Sequence, residues 1–297
     1  MDARQLRFFL AIIDYGGFSR AADQLLIAQP SLSQAIAGLE RELGVPLFHR
    51  VGRGVVPSDA AERLIGPARQ VLRDLAAAQS AIDAVKGVTT GSVEISSMPS
   101  PAVEPLTTIM TAFVRRHPDI TLSVASAFEP DEVLHAVRTG EVEIGLLGAP
   151  TPVKAADLRV VPIEDQELVL ITGAEGSLDD ADLISRDDLN GHGLIVAPKG
   201  SLMRALVDDV LSSGVRAKVV AEVAHRTAIL PLVLAGVADA VLPAGWSSLA
   251  RGAGARVVRI QPPSYLHIAM VTRSTRLTPA AAAFLAVAEK YAQDRAG

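Results

Sequence analysis

The first apolar positions recur at helical spacing. Leu6, Phe9, Leu10 and Ile13 predict a helix over 2–15, stopped at Gly16-Gly17. Ser19 is placed to cap a short second helix, with Ala21, Ala22, Leu25 and Leu26 as its small and apolar face. After a break at Ile27-Ala28-Gln29, Pro30 suits the first turn of a third helix, where its missing N–H has no partner to lose. That helix buries Leu32, Ile36, Leu39 and Leu43 and ends at Gly44. Pro46-Leu47-Phe48 and Val55-Val56-Pro57 flank His49-Arg50-Val51-Gly52-Arg53-Gly54, the pattern of a β-hairpin.

Ser58 can cap a long helix that lasts to Lys86 and stops at Gly87. Within it Leu64, Ala68, Val71, Leu75, Ala78, Ile82 and Val85 alternate at spacings of four and three. About 28 residues at 1.5 Å each give a helix of roughly 42 Å. Two readings fit the stripe: a coiled-coil seam for a second copy, or the inner face of a surface helix on its own domain. Pro67 predicts a kink near the start. Val88-Thr89-Thr90-Gly91 reads as a linker. Beyond it the period changes. Strands are expected at 93–96, 120–125, 143–147, 168–172, 194–197, 218–223, 240–242 and 267–271, and helices at 102–116, 131–139, 202–212, 227–235 and 279–293. Such alternation predicts parallel α/β units.

Composition narrows the class. The 297 residues suit two or three folded units, and 49% hydrophobic against 21% charged residues predicts a packed core. The chain has no cysteine, which excludes disulfides, cysteine-ligated zinc and thiol redox sensing. The most apolar window, Ala228 to Trp246, is interrupted by Pro231, Asp239 and Pro243 and reads as a buried helix and strand, so no membrane partner is expected. Met1-Asp2-Ala3-Arg4 leads directly into an amphipathic stretch without a secretory apolar core, and a cytoplasmic location is the expectation. A net charge of −5 argues against nucleic-acid steering by the whole chain. Between Leu43 and Ser58, however, there are no acids, only His49, Arg50 and Arg53. Such a local basic loop is also what a merely solvated loop looks like.

Catalysis finds no support. The serine-hydrolase, zinc-protease, P-loop and dinucleotide motifs are absent, and Gly17-Phe18-Ser19-Arg20-Ala21 lies between two helices rather than after a strand. The six histidines form no ligand-spaced pair, so neither a metal nor a cofactor is expected.

The stretch Phe18-Ser19-Arg20-Ala21-Ala22, Leu25, Ala28-Gln29-Pro30-Ser31-Leu32-Ser33-Gln34, Ile36, Leu39-Glu40, Leu43-Gly44-Val45-Pro46-Leu47-Phe48 and Arg50 resembles the N-terminal signature of LysR-type transcriptional regulators. Val233-Leu234-Ala235-Gly236-Val237-Ala238 with Leu242-Pro243 is similar to that family's late helix-turn-strand. The resemblance implies a winged helix-turn-helix over 1–58, a linker and dimerisation helix over 59–87, and an α/β effector domain over 88–297. That domain is expected to be two-lobed and periplasmic-binding-protein-like, with lobe I at about 92–161 and 266–297 and lobe II at about 162–265. It implies a homodimer through the linker helix and a homotetramer through the α/β domains, with RNA polymerase as a further candidate partner.

In the family's geometry the third helix enters the major groove of double-stranded DNA with its first turn against base edges. The matching positions are Gln29, Pro30, Ser33 and Gln34. Gln29 can pair with adenine N6/N7. Many relatives carry Arg where this chain has Gln34, so preference there shifts toward adenine. Arg50 and Arg53 in the wing would meet phosphates or the minor groove, and Ser19 and Arg20 phosphates. The other reading is a solvated polar face.

The effector site implied by the family is the cleft between the lobes. Ser96-Ser97-Met98-Pro99-Ser100 closes a strand directly before a helix, and hydroxyls with free N–H groups there favour an anion. Pro198-Lys199-Gly200-Ser201 and His225-Arg226-Thr227 open two further helices. The candidates are therefore Ser97, Ser100, Pro198, Lys199, Ser201, His225 and Thr227, binding a small molecule. Serine and threonine before a helix also serve simply as caps. A solute-binding module without a DNA role is the remaining alternative, and the helix-turn-helix speaks against it.

Overall fold

The structure is a computed structural model that describes residues 1–51, 54–85, 91–173, 181–212, 214–274 and 277–296. It opens with α1 (Ala3–Tyr15), α2 (Phe18–Gln24) and α3 (Gln29–Leu43), followed by β1 (Phe48–Val51), β2 (Gly54–Pro57) and α4 (Asp59–Val85). A capping box starts α1: Gln5 N–H donates to the Asp2 carboxylate, and the Gln5 side chain accepts from Asp2 N–H. The three helices close around Leu6, Phe9, Leu32, Ile36 and Leu39. The antiparallel β1–β2 hairpin is anchored to them through Phe48, whose ring lies 5.8 Å from Phe9 and 5.6 Å from Phe18. The Glu40 carboxylate accepts from Leu47 and Phe48 N–H at 2.7 and 3.2 Å.

Two expectations about α2 do not hold. Its N-cap is Gly17, so Ser19 lies inside the first turn and makes no capping bond. Its apolar face stops at Leu25. Ile27 N–H bonds back to Ala22 O and Leu26 N–H to Asp23 O, a Schellman turn that puts Leu26 at φ +54 with 92% of its surface exposed.

Ser58 caps α4, its Oγ accepting from Ala61 N–H at 3.2 Å. The helix continues unbroken through Pro67. Its apolar stripe is divided along its length. Leu64 and Ala68 pack into the core of α1–α3, whereas Val71, Leu75 and Ala78 face outward. The side chains of Ile82 and Val85, the stop at Lys86-Gly87 and the linker residues Val88-Thr89-Thr90 lie outside the described residues.

The remainder comprises β3 (Gly91–Ser97), α5 (Pro99–Val103), α6 (Leu106–Arg116), β4 (Ile120–Ser126), α7 (Pro130–Arg138), β5 (Ile144–Ala149), β6 (Leu158–Thr172), β7 (Leu183–Ser185), β8 (Gly193–Val196), α8 (Leu202–Leu211), β9 (Lys218–Glu222), α9 (Ile229–Leu234), β10 (Ala240–Pro243), α10 (Ser247–Gly252), β11 (Arg256–Gln261), β12 (Tyr265–Arg273) and α11 (Pro279–Ala296). An eight-stranded mixed sheet runs β4-β3-β5-β12-β6-β11-β7, with β10 also on β6. Its first half is parallel at β4-β3-β5 and antiparallel at β12. The strand β6 is shared between two lobes: Leu158–Glu167 pairs with β12, and Leu168–Thr172 pairs with β10 and β11. The chain therefore passes from one lobe to the other inside a single strand. Strands β8 and β9 pair in parallel within the second lobe. The last helix, α11, returns to the first lobe, where Phe284 meets Phe113 at 5.2 Å and Tyr291 Oη donates to Glu164.

The expected helix over 102–116 is broken by Pro105 into α5 and α6. The strand expected at 168–172 starts ten residues earlier, at Leu158, and β7, α10 and β11 have no counterpart in the sequence pattern. The helix expected at 227–235 opens as a 3-10 turn, Arg226–Ala228, before α9. Among the described residues no helix is long and apolar enough to cross a membrane.

Candidate functional site

Burial of Leu32, Ile36 and Leu39 turns the opposite face of α3 outward. Gln29, Pro30 and Gln34 are exposed on its first turns, and Ser33 is half-buried. Ser19 and Arg20 are exposed on α2. Ser19, Arg20, Gln29 and Ser33 share one surface depression with Phe48 and Val55 of the hairpin. Pro30 and Gln34 stand on α3 outside its lining. The Arg20 guanidinium donates to Gly16 O at 2.6 Å. Glu40 is the acid of this depression, and the N–H groups of Leu47 and Phe48 occupy its carboxylate. The Arg50 backbone pairs with Val55 in the hairpin, while its side chain and all of Arg53 lie outside the described residues.

A cavity of about 700 Å³ lies between the two lobes. The first lobe contributes Ser97, Pro99, Val103, Glu104, Val124, Ser126 and Phe128, and the second His225, Arg226, Thr227, Trp246 and Leu249. Two of its lining residues, Glu104 and Gly245, are held by Gln166 at the crossing strand. The Gln166 amide donates to Glu104 O at 3.1 Å and accepts from Gly245 N–H at 3.2 Å, so one buried side chain ties both lobes together. Ser100 is fully buried behind the wall. Its Oγ accepts from Arg226 Nη1 at 3.0 Å and from Trp246 Nε1 at 3.4 Å. Among the described residues Arg226 forms no ion pair. Burial pushes its guanidinium below the ordinary arginine range, and the more distant Glu129 acts against that shift.

Of the residues expected at the effector site, Ser97, His225 and Thr227 line this cavity, and Ser100 supports it through Arg226 and Trp246. Pro198, Lys199 and Ser201 are not brought to it. Ser201 caps α8, accepting from Arg204 N–H and donating to Pro198 O, and Lys199 is exposed. The next side chain, Leu202, packs against the first-lobe cluster that includes Met98, Ala127 and Leu147. Trp246, Phe128 and Leu249 escape the sequence reading, because they come from separate loops with no shared motif. Among the described residues no group of three His, Asp or Glu is placed to hold a metal ion.

A third arrangement joins the N-terminal part to the first lobe. Arg69 of α4 bonds Asp14 of α1 at 2.5 Å and lies 3.9 Å from Glu141. Arg73 donates to Gly140 O at 2.5 Å, and Arg273 to the Gln70 amide at 2.6 Å.

These features coincide with known families. The model described as "Bacterial regulatory helix-turn-helix protein, lysR family" matches residues 3–62, and that described as "LysR substrate binding domain" matches 86–293. The chain belongs to the LysR family of DNA-binding transcriptional regulators. It is 30% identical over 266 residues to the nitrogen assimilation regulatory protein nac of Klebsiella aerogenes, covering 89% of this chain and 86% of that protein. It is 27% identical over 281 residues to an uncharacterized HTH-type transcriptional regulator, YfeR, of Shigella flexneri, covering 94% and 90%. Among solved structures, a full-length variant of OxyR from Pseudomonas aeruginosa superposes with a TM-score of 0.73 at 21% identity, covering 98% of this chain and 94% of that one. Full-length CbnR complexed with its target DNA gives 0.65 at 23%, covering 98% and 100%. These likenesses establish the fold: a winged helix-turn-helix, a long linker helix and a two-lobed α/β domain.

Proposed function

We propose that this regulator is cytoplasmic and not an enzyme, that it assembles through α4, and that a small anion between the lobes controls its hold on double-stranded DNA. In this reading residues 1–58 bind DNA, 59–87 dimerise, and 88–297 bind the effector. Gln29, Pro30, Ser33 and Gln34 read bases, while Ser19, Arg20, Arg50 and Arg53 hold phosphates. A tetramer through the α/β domains and contact with RNA polymerase complete it, and no tightly held cofactor is needed. The observation that carries the anion is Arg226, a half-buried cation facing a cavity with a serine hydroxyl as its partner. A partly desolvated charge without an ion-pair partner carries a cost, and an incoming anion offsets it. Exposed Gln29 and half-buried Ser33, sharing one depression with the hairpin, support the DNA-reading face.

Mobility-shift titrations on the DNA upstream of its own gene test the reading. Gln29→Ala is expected to cost about 1–3 kcal/mol on the specific fragment and little on random DNA. Arg50→Ala is expected to weaken both alike and lower the salt slope by about one. Equal losses on both fragments for both variants would refute the division between reading helix and wing. In a thermal-shift screen, anionic metabolites are expected to stabilise the protein, and Ser100→Ala to abolish the effect. Stabilisation by neutral or cationic compounds alone would remove the anion.

A further inference from the structure

The interlobe cavity is chemically lopsided. Its one arginine among the described residues, Arg226, is held by the Ser100 hydroxyl beside the Trp246 indole. Its lining also carries Val124 and Phe128 of the first lobe and Leu249 of the second, which are 40%, 58% and 52% exposed although they line a concavity. Large apolar side chains left in solvent beside a concave cation are arranged to be covered by something that fits the hollow. A single guanidinium in the lining offers a seat for one anionic group. Glu104 lines the same cavity and would repel a second carboxylate, and among the described residues no second lysine or arginine lines it.

We propose that the cavity takes a small monocarboxylate with an apolar body, its carboxylate on Arg226 and its body against Val124, Phe128 and Leu249. The assignment rests on reading the cavity as an effector site for an anion, and it adds the class of molecule and the residue that selects it. A carboxylate presents two oxygens to the planar guanidinium. The apolar body replaces water on Phe128 and Leu249, so affinity and selectivity come from opposite ends of the molecule.

The protein supplies its own reporter. Trp246 is the single tryptophan of the chain, and its indole N–H is bonded to Ser100, the partner of Arg226. Intrinsic fluorescence of the full-length protein is titrated with phenylacetate, with phenylacetamide, which keeps the body and lacks the charge, and with succinate, which has two carboxylates and no apolar body. Saturable quenching by phenylacetate is expected, with the other two at least about tenfold weaker. Arg226→Met is expected to weaken phenylacetate about tenfold and to leave phenylacetamide unchanged. Phe128→Ser, at an exposed position that folding tolerates, is expected to weaken both phenyl compounds several-fold. If succinate binds as tightly as phenylacetate and depends on Arg226, the anion site stands and the apolar body is wrong. If phenylacetamide binds as well as phenylacetate and Arg226→Met changes neither, the anion site itself falls. Absence of quenching by benzoate, phenylacetate and hexanoate alike overturns the proposal.

Discussion

Leu26 holds φ +54 with almost its whole side chain in water, in the turn that leads into α3. A γ-branched residue pays for that left-handed conformation with no compensating burial, whereas asparagine adopts it readily. Leu26→Asn is therefore expected to raise stability by about 0.5–1 kcal/mol, read as a higher denaturant midpoint at unchanged slope. A lower midpoint would mean that Leu26 is covered by something in solution. In the sequence Leu26 looks like one more residue of an apolar face, because Leu25-Leu26-Ile27 gives no sign of where the helix stops. The same blindness operates at the cavity. Ser97 and Ser100 are legible because a serine-proline run before a helix is a local pattern. The pairing of Ser100 with Arg226 and Trp246 joins residues 126 and 146 positions apart, and no local pattern reports it. Ser201 shows the converse: the same residue type before a helix, occupied entirely as a cap.

Helix α4 and its stripe are legible as an element, but not how the stripe is divided. Leu64 and Ala68 are used by the chain's own DNA-binding core, and Val71, Leu75 and Ala78 are left over. Leu75→Glu is accordingly expected to yield a folded monomer in sedimentation velocity, while Ala68→Glu destabilises the N-terminal domain by roughly 2 kcal/mol or more by burying an unpaired charge. A dimer that persists in Leu75→Glu would move the interface off α4. The first half of β6 is hidden in the sequence because Pro162, Glu164, Asp165 and Glu167 interrupt its apolar run. Glu164 is nonetheless occupied, accepting from Tyr291 Oη and Arg295 of α11. Burial, and then the hydrogen bond to Glu164, push the Tyr291 phenol from 10.0 up to about 12. A proton held more tightly in the folded state contributes stability that is full below pH 10 and lost as pH rises through 12. Urea midpoints of the wild type are expected to fall more steeply across that window than those of Tyr291→Phe, which starts about 1 kcal/mol lower.

At the scale of the whole molecule, an effector matters only if its preference for one arrangement of the lobes reaches the DNA-binding heads. Within one chain the first lobe touches α4 at a small polar contact. Arg73 holds Gly140 O, Arg273 holds Gln70, and Arg69 reaches both Asp14 and Glu141. Gly140 is the tight point. It has φ +67, and a β carbon there would come within 2.8 Å of the Arg273 guanidinium and 3.0 Å of that of Arg73. It also follows α7, whose opposite end adjoins Phe128 in the wall of the cavity. Gly140→Ala is therefore expected to loosen α4 from the first lobe without disturbing the core of either part. Amide exchange should rise around residues 66–73 and 139–141, and the lobes should keep their ligand affinity. If the effector acts by changing the angle between paired heads, the ligand-dependent change in DNA bend should shrink in this variant, while the bend without ligand and the discrimination between specific and random DNA persist. An undiminished ligand-dependent bend, with exchange at α4 clearly raised, would show that the signal travels through another subunit's contacts instead.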